Sequence, residues 1–576
     1  MNKSFNKILC TAAVIAMTSL ASPQQAFAED ESWKSSWHVN TIWYQIFPER
    51  FCDGDPSNQP EFIETYTSDG KLEKCQVSKW TDENPDWKSK YGGDLKGIDD
   101  RIEWFKELGV SGIYLNPVFK ATSNHKYNTA DYAVIDPAFG DRKMMKKLID
   151  DLHSNKIRLI LDGVFNHTGY EFWAFQDIVA KGEASHYKDW YFIKSYPVVK
   201  LWEQKEGNGA NYACWWGVPT LPQLNLDSEN ARGYIIDVSK SWLKLGADGW
   251  RLDVPNEVRS TTFWQEWSKE MKSERPDCYT SGEIWGNPAE WAGDKGPFTA
   301  TMNYYGFREP VMQYFTGGKI TVSQFDKMLA ERRSVLPHKT NCALQNLLSS
   351  HDTARILSAI KNHDSQDSDK ERKDYDKGPA SPEDIAKYKA ILAFQMTYVG
   401  APMIYYGDEI GMTGGKDPDC RRPMIWDESK QNRDILECCK KLIAIRSSNK
   451  EFRTGEFITL LTDDKSNIYA YERKDGEDMS IVAINYSNSP ANIRIKAPKG
   501  EYSDLLNGSS IKADKKGIKA ELPAYGYAIF KQMPASLTDE KKDKKDNKEP
   551  KKTKKAKKSK KSRKSAKNSS SDEQKG

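Results

Sequence analysis

The chain has 576 residues, 38% of them hydrophobic and 29% charged, a composition that excludes a low-complexity or collagen-like chain and allows a large core with more than one domain. Its net charge of +4 hides an asymmetry: residues 541–576 hold 17 Lys/Arg and 5 Asp/Glu, or +12, leaving +4 − 12 = −8 for the rest. The body is thus acidic and the C-terminal end strongly basic, and the absence of any C-x-x-C pair argues against a structural zinc site.

Lys3 and Lys7 precede an apolar run over 8–20, and Ala26-Phe27-Ala28 forms a small-residue cleavage pattern. Residues 1–28 therefore read as a secretory signal peptide. This predicts a secreted or periplasmic protein, with attachment to the cell surface as an open alternative. The run is too short to span a membrane comfortably, and no later segment reads as a transmembrane helix. Without Cys10 eight cysteines remain; Cys52 and Cys75 flank one polar loop and are the first candidate pair for a disulfide, whereas Cys438 and Cys439 read as neighbours on a helix.

Beyond the leader, β-branched and aromatic runs at 41–47, 112–116, 157–164, 249–254, 278–284, 299–304, 343–349 and 402–406 alternate with helical patterns such as 102–108 and 144–152. Eight strands with intervening helices predict a (β/α)8 TIM barrel over 29–449, an α/β fold. The stretch 168–228 is too long for a connection and is rich in Trp, Tyr, Gly and Pro, so it reads as a subdomain protruding after strand three. From 450 to 533 short strand patterns, among them 468–472, 480–485, 492–496 and 525–530, predict a C-terminal antiparallel β-sandwich domain. Residues 534–576 have almost no apolar side chains and are expected to form a disordered Lys-rich tail.

The residues that carry chemistry fall at the expected C-terminal ends of barrel strands, where such barrels build their sites. Residues two apart on a strand share a face, so Arg251 and Asp253 point together into the barrel mouth, where a cation keeps a carboxylate ionised. A surface ion pair is the competing reading. Glu283 ends the fifth strand beside Trp285, which suits a general acid. Asp162, Asn166 and His167 end the third strand, and His351 and Asp352 the seventh. A lone histidine is more often structural than functional, yet His125, His167 and His351 all fall at the same end of the barrel.

Together these segments resemble the alpha-amylase family of glycoside hydrolases. They read LDGVFNH (161–167), GWRLDVPNEV (249–258), GEIW (282–285) and LLSSHD (347–352), with LPQLN (221–225) in the protruding subdomain, and the likeness covers roughly 40–530. The resemblance implies Asp253 as nucleophile, Glu283 as acid/base and Asp352 as third carboxylate. Around the sugar it implies Tyr127, Asp162, His167, Arg251 and His351, with His125, Asn256, Glu257 and Trp285 also in contact. In a retaining mechanism the two working carboxyls stand about 5–5.5 Å apart. Within the family the chain is most similar to neopullulanases, cyclomaltodextrinases and maltogenic amylases, through Asn256-Glu257-Val258, Met302-Asn303-Tyr304, the run from Gly407 to Met412, and Asp417-Pro418-Asp419-Cys420-Arg421. In that last run Asp417 and Arg421 are the implied sugar contacts. Pro255, Gly286 and Gln223 depart from that group, and its usual extra N-terminal β-domain has no counterpart between the leader and the barrel.

The implied function is hydrolysis of α-1,4 bonds in starch-type oligosaccharides and polysaccharides, pullulan or cyclodextrins. A transglycosylase or α-glucosidase on the same scaffold is the alternative; a non-catalytic glucan-binding protein would usually lack one of the three carboxylates. The resemblance further implies a structural calcium ion (Ca2+) on Asp53, Asp55, Asn58, the carbonyl of Gly92, and Asp94, with Gln59 where the group usually has Asp. Such a set of oxygens suits a hard cation, and a polar turn without metal is the competing reading. The basic tail is expected to meet an anionic cell-surface polymer or lipid head groups, or else only to solubilise; export makes nucleic acid an unsuitable partner.

Overall fold

The computed structural model describes residues 31–67, 69–203, 209–364 and 375–534. The expected leader over 1–28 and all but the first residue of the expected tail lie outside them. The chain divides into two compact units, the first ending at Glu456 and the second beginning at Phe457. The boundary lies seven residues beyond the expected 449/450 because a short helix, Glu451–Thr454, still belongs to the first unit.

The first unit is a parallel barrel of β1 (Trp43–Ile46), β2 (Gly112–Leu115), β3 (Arg158–Gly163), β4 (Gly249–Leu252), β5 (Tyr279–Gly282), β6 (Ala300–Thr301), β7 (Gln345–Leu347) and β8 (Ala401–Tyr405). They run in the order β6-β5-β4-β3-β2-β1-β8-β7, and a parallel bridge between Met302 and Gln345 closes the ring. Almost every residue of these strands is buried, because helices cover the outside and side chains fill the inside; this is why the strands read as continuous apolar runs. The helices are amphipathic for the same reason. In Arg142–Ser154, capped by Asp141 accepting the Met144 N–H at 2.8 Å, Met145, Leu148, Ile149 and Leu152 face the barrel. All eight expected strands are present. β6 is shorter than expected because the chain leaves it at Met302 and winds into a π-helical turn, Tyr304–Arg308, capped by Asn303.

Two antiparallel hairpins were not foreseen: Phe62–Tyr66 with Leu72–Lys74, and Phe119–Ala121 with Thr129–Ile135. The second carries His125 and Tyr127 in its loop. The protruding subdomain is tied at its stem by a bridge between His167 and Gln223, and higher up by bridges from Tyr191 to Leu224 and from Cys214 to Pro222. The candidate pair Cys52 and Cys75 is not joined, and none of the eight described cysteines is in a disulfide. Their thiols face different surroundings, Cys52 beside Arg101 and Asp94, Cys75 beside Lys90 and Glu64.

The second unit holds β9 (Glu456–Asp463), β10 (Ile468–Asp475), β11 (Asp478–Asn485), β12 (Ala491–Ile495), β13 (Gly500–Asp504), β14 (Ser510–Ala513), β15 (Ile518–Leu522) and β16 (Tyr527–Gln532). A six-stranded sheet, β9-β10-β11-β16-β13-β14, and a β12-β15 ribbon share one core that includes Ile481, Tyr502 and Phe530 from the sheet and Ile495 and Ile518 from the ribbon. Among the described residues no helix is long and apolar enough to cross a membrane.

Candidate active site

Strand register brings the acids together. Asp162 on β3 lies beside Arg251 on β4, and Leu252 on β4 lies beside Gly282 on β5. Asp253 and Glu283 each sit one residue past that last pair, so both carboxylates emerge side by side at the barrel mouth; the Glu283 N–H still bonds the Leu252 carbonyl at 2.9 Å. A Cβ on Gly282 would stand 2.8 Å from the Phe298 ring, so the backbone here must remain bare.

Arg251, fully buried, joins the three acids. Its Nη1 contacts Asp162 Oδ1 at 2.9 Å and Asp253 Oδ1 at 3.1 Å, and its Nη2 contacts Glu283 Oε2 at 2.8 Å. A planar fork of fixed N–H groups can hold several carboxylates at defined angles, which a lysine cannot. Trp250 and Leu252 point the other way, and Trp250 packs on Phe165. Immediately past Asp253 the backbone turns sharply: Val254 lies at φ 33°, ψ 51°, in the left-handed region that a β-branched residue avoids. Strain of this kind costs about 1–3 kcal/mol and persists only where surrounding contacts enforce it. Here it aims the Val254 N–H at Glu283 Oε2, 3.1 Å away, while Glu283 Oε1 accepts the Trp285 indole N–H at 3.1 Å. Trp285 is 45% exposed and stacks face to face on Tyr304, 3.9 Å between ring centres.

Asp352 faces the cleft from the end of β7. Its Oδ1 lies 3.3 Å from Arg421 Nη2 and its Oδ2 lies 3.1 Å from His351 Nε2. Arg421 also holds Asp417 at 3.0 Å and donates to the His351 carbonyl at 2.8 Å. Behind this pair runs a buried chain of hydrogen bonds. Gln45 donates to His351 Nδ1 at 2.9 Å, His351 Nε2 meets the Tyr127 hydroxyl at 2.7 Å, and that hydroxyl donates to Asp162 Oδ2 at 2.9 Å. Burial and the nearby arginines push His351 well below the usual imidazole range, so it is neutral, and the Gln45 bond leaves its proton on Nε2. Tyr114 and Asn116 complete the chain, donating to Asp162 and Tyr127 at 2.6 and 2.9 Å.

His167 stacks on Trp215, its Nε2 buried without a protein partner, and burial lowers its pKa to about 3. His125 accepts the Tyr127 N–H at 3.1 Å and is likewise held neutral by burial and by Arg421. Glu257 accepts the Trp216 indole N–H at 3.1 Å, and its carbonyl accepts from Gln223 at 3.3 Å. Asn256 is exposed on the same turn and makes no side-chain hydrogen bond among the described residues. Thus the expected residues gather at one barrel end, with Asn256 exposed on the turn that follows β4. Gln45, Tyr114, Asn116, Val254, Trp215 and Tyr304 were missed. Gln45, a polar residue in the apolar run Trp43–Ile46, was the one readable signal.

Four carboxylates, Asp162, Asp253, Glu283 and Asp352, stand against two guanidinium groups, Arg251 and Arg421. Burial pushes the Asp253 carboxyl up and Arg251 opposes it; burial, then Glu283, raises Asp352 to about 7. Asp352 keeps 32% of its side-chain surface open to the cleft, so water screens part of this. The unfolded chain releases the Asp352 proton near 3.8 and the folded one near 7, so folding stability from this group falls as pH rises through that window. The melting temperature of Asp352→Asn relative to the parent should therefore climb between pH 4 and pH 8. A difference that stays flat across thermal melts in this range refutes the assignment.

Residues 45–455 match the family model described as alpha amylase, catalytic domain, and residues 457–529 match the maltogenic amylase C-terminal domain. The chain belongs to the alpha-amylase family. It is therefore a glycoside hydrolase, and its relatives include the neopullulanase 2 of Thermoactinomyces vulgaris, 39% identical over 85% of this chain and 77% of that protein. The cyclomaltodextrinase of Geobacillus thermopakistaniensis is 39% identical over 86% of this chain and 77% of its own length. Among solved structures, the cyclic alpha-maltosyl-(1→6)-maltose hydrolase of Arthrobacter globiformis superposes with a TM-score of 0.73 at 29% identity, covering 86% of this chain and 99% of that one. Across the family match, the strand ends that carry Asp253, Glu283 and Asp352 all fall within the catalytic domain.

The loop expected to bind calcium presents oxygens of two kinds. Asp94 accepts N–H groups from Gly54 (3.1 Å), Asp55 (2.9 Å), Asn58 (2.9 Å) and Gly97 (2.6 Å) and so caps the helix Leu95–Asp99. Asp55 turns outward and accepts from Ser57. By contrast, Asp53 Oδ1, Asn58 Oδ1 and Gln59 Oε1 are buried with no donor, and Gln59 lies against Gly92, whose φ is 82°. Three orphaned oxygens fit a hard cation. Among the described residues no three His, Cys, Asp or Glu side chains converge as a metal set.

Proposed function

We propose that the enzyme cleaves α-1,4-glucosidic bonds in starch-type oligosaccharides, pullulan or cyclodextrins by double displacement with retention of configuration. The observation that carries this reading is the single buried guanidinium that holds Asp253 and Glu283 side by side at adjacent strand ends. Asp253 attacks the anomeric carbon while Glu283 gives its proton to the leaving oxygen, forming a covalent glycosyl-enzyme. Water, deprotonated by Glu283, then displaces Asp253. Asp352, with Arg421 behind it, binds ring hydroxyls and favours the positively charged transition state. Tyr127, fixed by Asn116, Asp162 and His351, supplies the floor on which the sugar lies. Names of relatives that act on pullulan and cyclic glucans support the substrate class. The test is product analysis on starch, pullulan, cyclodextrin and maltotriose in parallel. Cleavage of sucrose or isomaltose with no activity on any α-1,4 glucan overturns the reading.

The same reading includes a structural calcium ion on Asp53, Asn58, Gln59 and the Gly92 carbonyl, with Asp94 shaping the loop rather than binding. Binding only the folded state raises the melting point, and at a Kd on the order of 0.5 mM, roughly 5 mM calcium adds about 1–2 kcal/mol. Melts with chelator and with calcium should differ for the parent and coincide for Asp53→Ala. Identical parent melts, with no metal by elemental analysis, reject the ion. Export through residues 1–28 is tested by the mass of the mature chain, which should begin near Glu29. Retention on anionic envelope polymers through the tail is tested by truncation near Met533, which should abolish salt-sensitive cell binding and spare activity.

A further inference from the structure

Gln45 stands alone as an amide in the otherwise apolar and aromatic strand β1 and is fully buried. A polar group so placed must be held by partners, and those of Gln45 lead into the cleft. Counting protons along them fixes the direction of each bond. Asp162 accepts from Arg251 Nη1 at both oxygens, at 2.9 and 3.0 Å, so the Tyr114 and Tyr127 hydroxyls donate to its Oδ2. Each hydroxyl has then spent its one proton. Asn116 must therefore face them with its amino group, at 3.3 and 2.9 Å, which turns its Oδ1 toward Gln45. Gln45 meets that oxygen with Nε2–H at 3.0 Å and gives the second proton of the same nitrogen to His351 Nδ1 at 2.9 Å. From the other side, the Tyr127 hydroxyl can only accept from His351 Nε2, at 2.7 Å. Both nitrogens of the imidazole thus demand the same tautomer, and among the described residues Gln45 is the only partner of Nδ1.

A merely structural amide would end at its partners, but this chain goes on. His351 Nε2 also lies 3.1 Å from Asp352 Oδ2, so its proton faces the third carboxylate of the cleft. A bare Nε2 would instead turn a lone pair on that carboxylate and strengthen its hold on a proton. We propose that Gln45 is a positioning residue for glycoside cleavage: from the core it keeps His351 in the Nε2–H form and in one ring orientation, so that Asp352 meets the developing positive charge as a carboxylate supported by a donor. The effect falls on turnover more than on binding. A sugar hydroxyl can accept from Nε2–H or donate to a bare Nε2, so the ground state tolerates both forms, whereas only the N–H form supports Asp352 in the transition state. The inference rests on the α-glucan reading above for its choice of substrate alone.

The test is Gln45→Met, which nearly keeps the volume and removes the donor. On maltoheptaose kcat should fall by about tenfold, the worth of one buried hydrogen bond, with KM within about twofold of the parent's. In a His351→Ala background the same change should alter kcat by less than about twofold, because the group through which Gln45 acts is gone. Losses that multiply in the double variant, or a Gln45→Met kcat equal to the parent's, overturn the proposal. Nitrogen-edited NMR of the histidine-labelled parent, with the His351 signals assigned by their loss in His351→Ala, should show a proton on Nε2 and none on Nδ1. This measurement needs no substrate and decides even where Gln45→Met fails to fold: a proton on Nδ1 overturns the proposal outright. A parent enzyme inactive on maltoheptaose defeats the α-glucan reading instead and leaves the tautomer to decide the role of Gln45.

Discussion

Asp253→Asn should lower kcat by about 10^4-fold or more with the fold intact, because the amide cannot form the covalent intermediate and a step, not a contact, is lost. Its stability should equal or exceed that of the parent, since one carboxylate leaves a crowded acid cluster. Glu283→Gln should cost about 10^2–10^4-fold on maltooligosaccharides, the usual worth of a general acid. The loss should be much smaller on an aryl glucoside whose leaving group departs without a proton. Proton NMR of the first products should show the α-anomer. Initial release of the β-anomer would falsify double displacement, and an Asp253→Asn enzyme of near-parental kcat would remove Asp253 from the nucleophile's place.

Arg251→Leu carries the largest expected stability effect. The guanidinium has no exposed surface and touches Asp162, Asp253 and Glu283, so its removal leaves buried carboxylates without their counter-charge. Breaking one buried ion pair from one side costs about 3–5 kcal/mol, and here three partners are stranded at once. The carboxylates will respond by keeping protons, so the loss should grow as pH rises above their ordinary range. Arg251→Lys should recover little, because a point charge on a flexible stem cannot replace a fork that meets three carboxylates in fixed directions. Denaturant midpoints at pH 5 and pH 8 check this. A midpoint for Arg251→Leu that matches the parent at both pH values shows that the ion cluster does not hold the barrel mouth.

Much of this molecule was readable in one dimension, for reasons that lie in local chemistry. Strands buried on both faces must be apolar throughout, so the eight barrel strands announced themselves, and the two-residue period of a strand put Arg251 and Asp253 on one face. Less visible were features that depend on contacts between distant segments. β6 stops at Thr301 because Asn303 caps a turn that begins immediately after it. Asp94 accepts the N–H groups of Gly54, Asp55 and Gly97 and the amide of Asn58, donors that only the folded loop brings to it. Cys52 and Cys75 are not joined, because their thiols face separate neighbourhoods, a matter of direction that sequence spacing does not encode.

By itself the sequence determined which residue types stand at the strand ends, and so which acids, histidines and arginines are available for chemistry. Tertiary structure decided which of them touch. Register across β3, β4 and β5 placed Asp162, Asp253 and Glu283 around one guanidinium, and a left-handed Val254 aimed a backbone N–H at the acid. Likewise, only folding brought Gln45, His351, Tyr127 and Asp162 into one hydrogen-bonded chain, although these residues span the polypeptide from position 45 to 351. The physical reason is that periodicity and propensity act over a few residues, whereas proton affinity depends on the charges and burial within a few ångströms, wherever along the chain those neighbours originate.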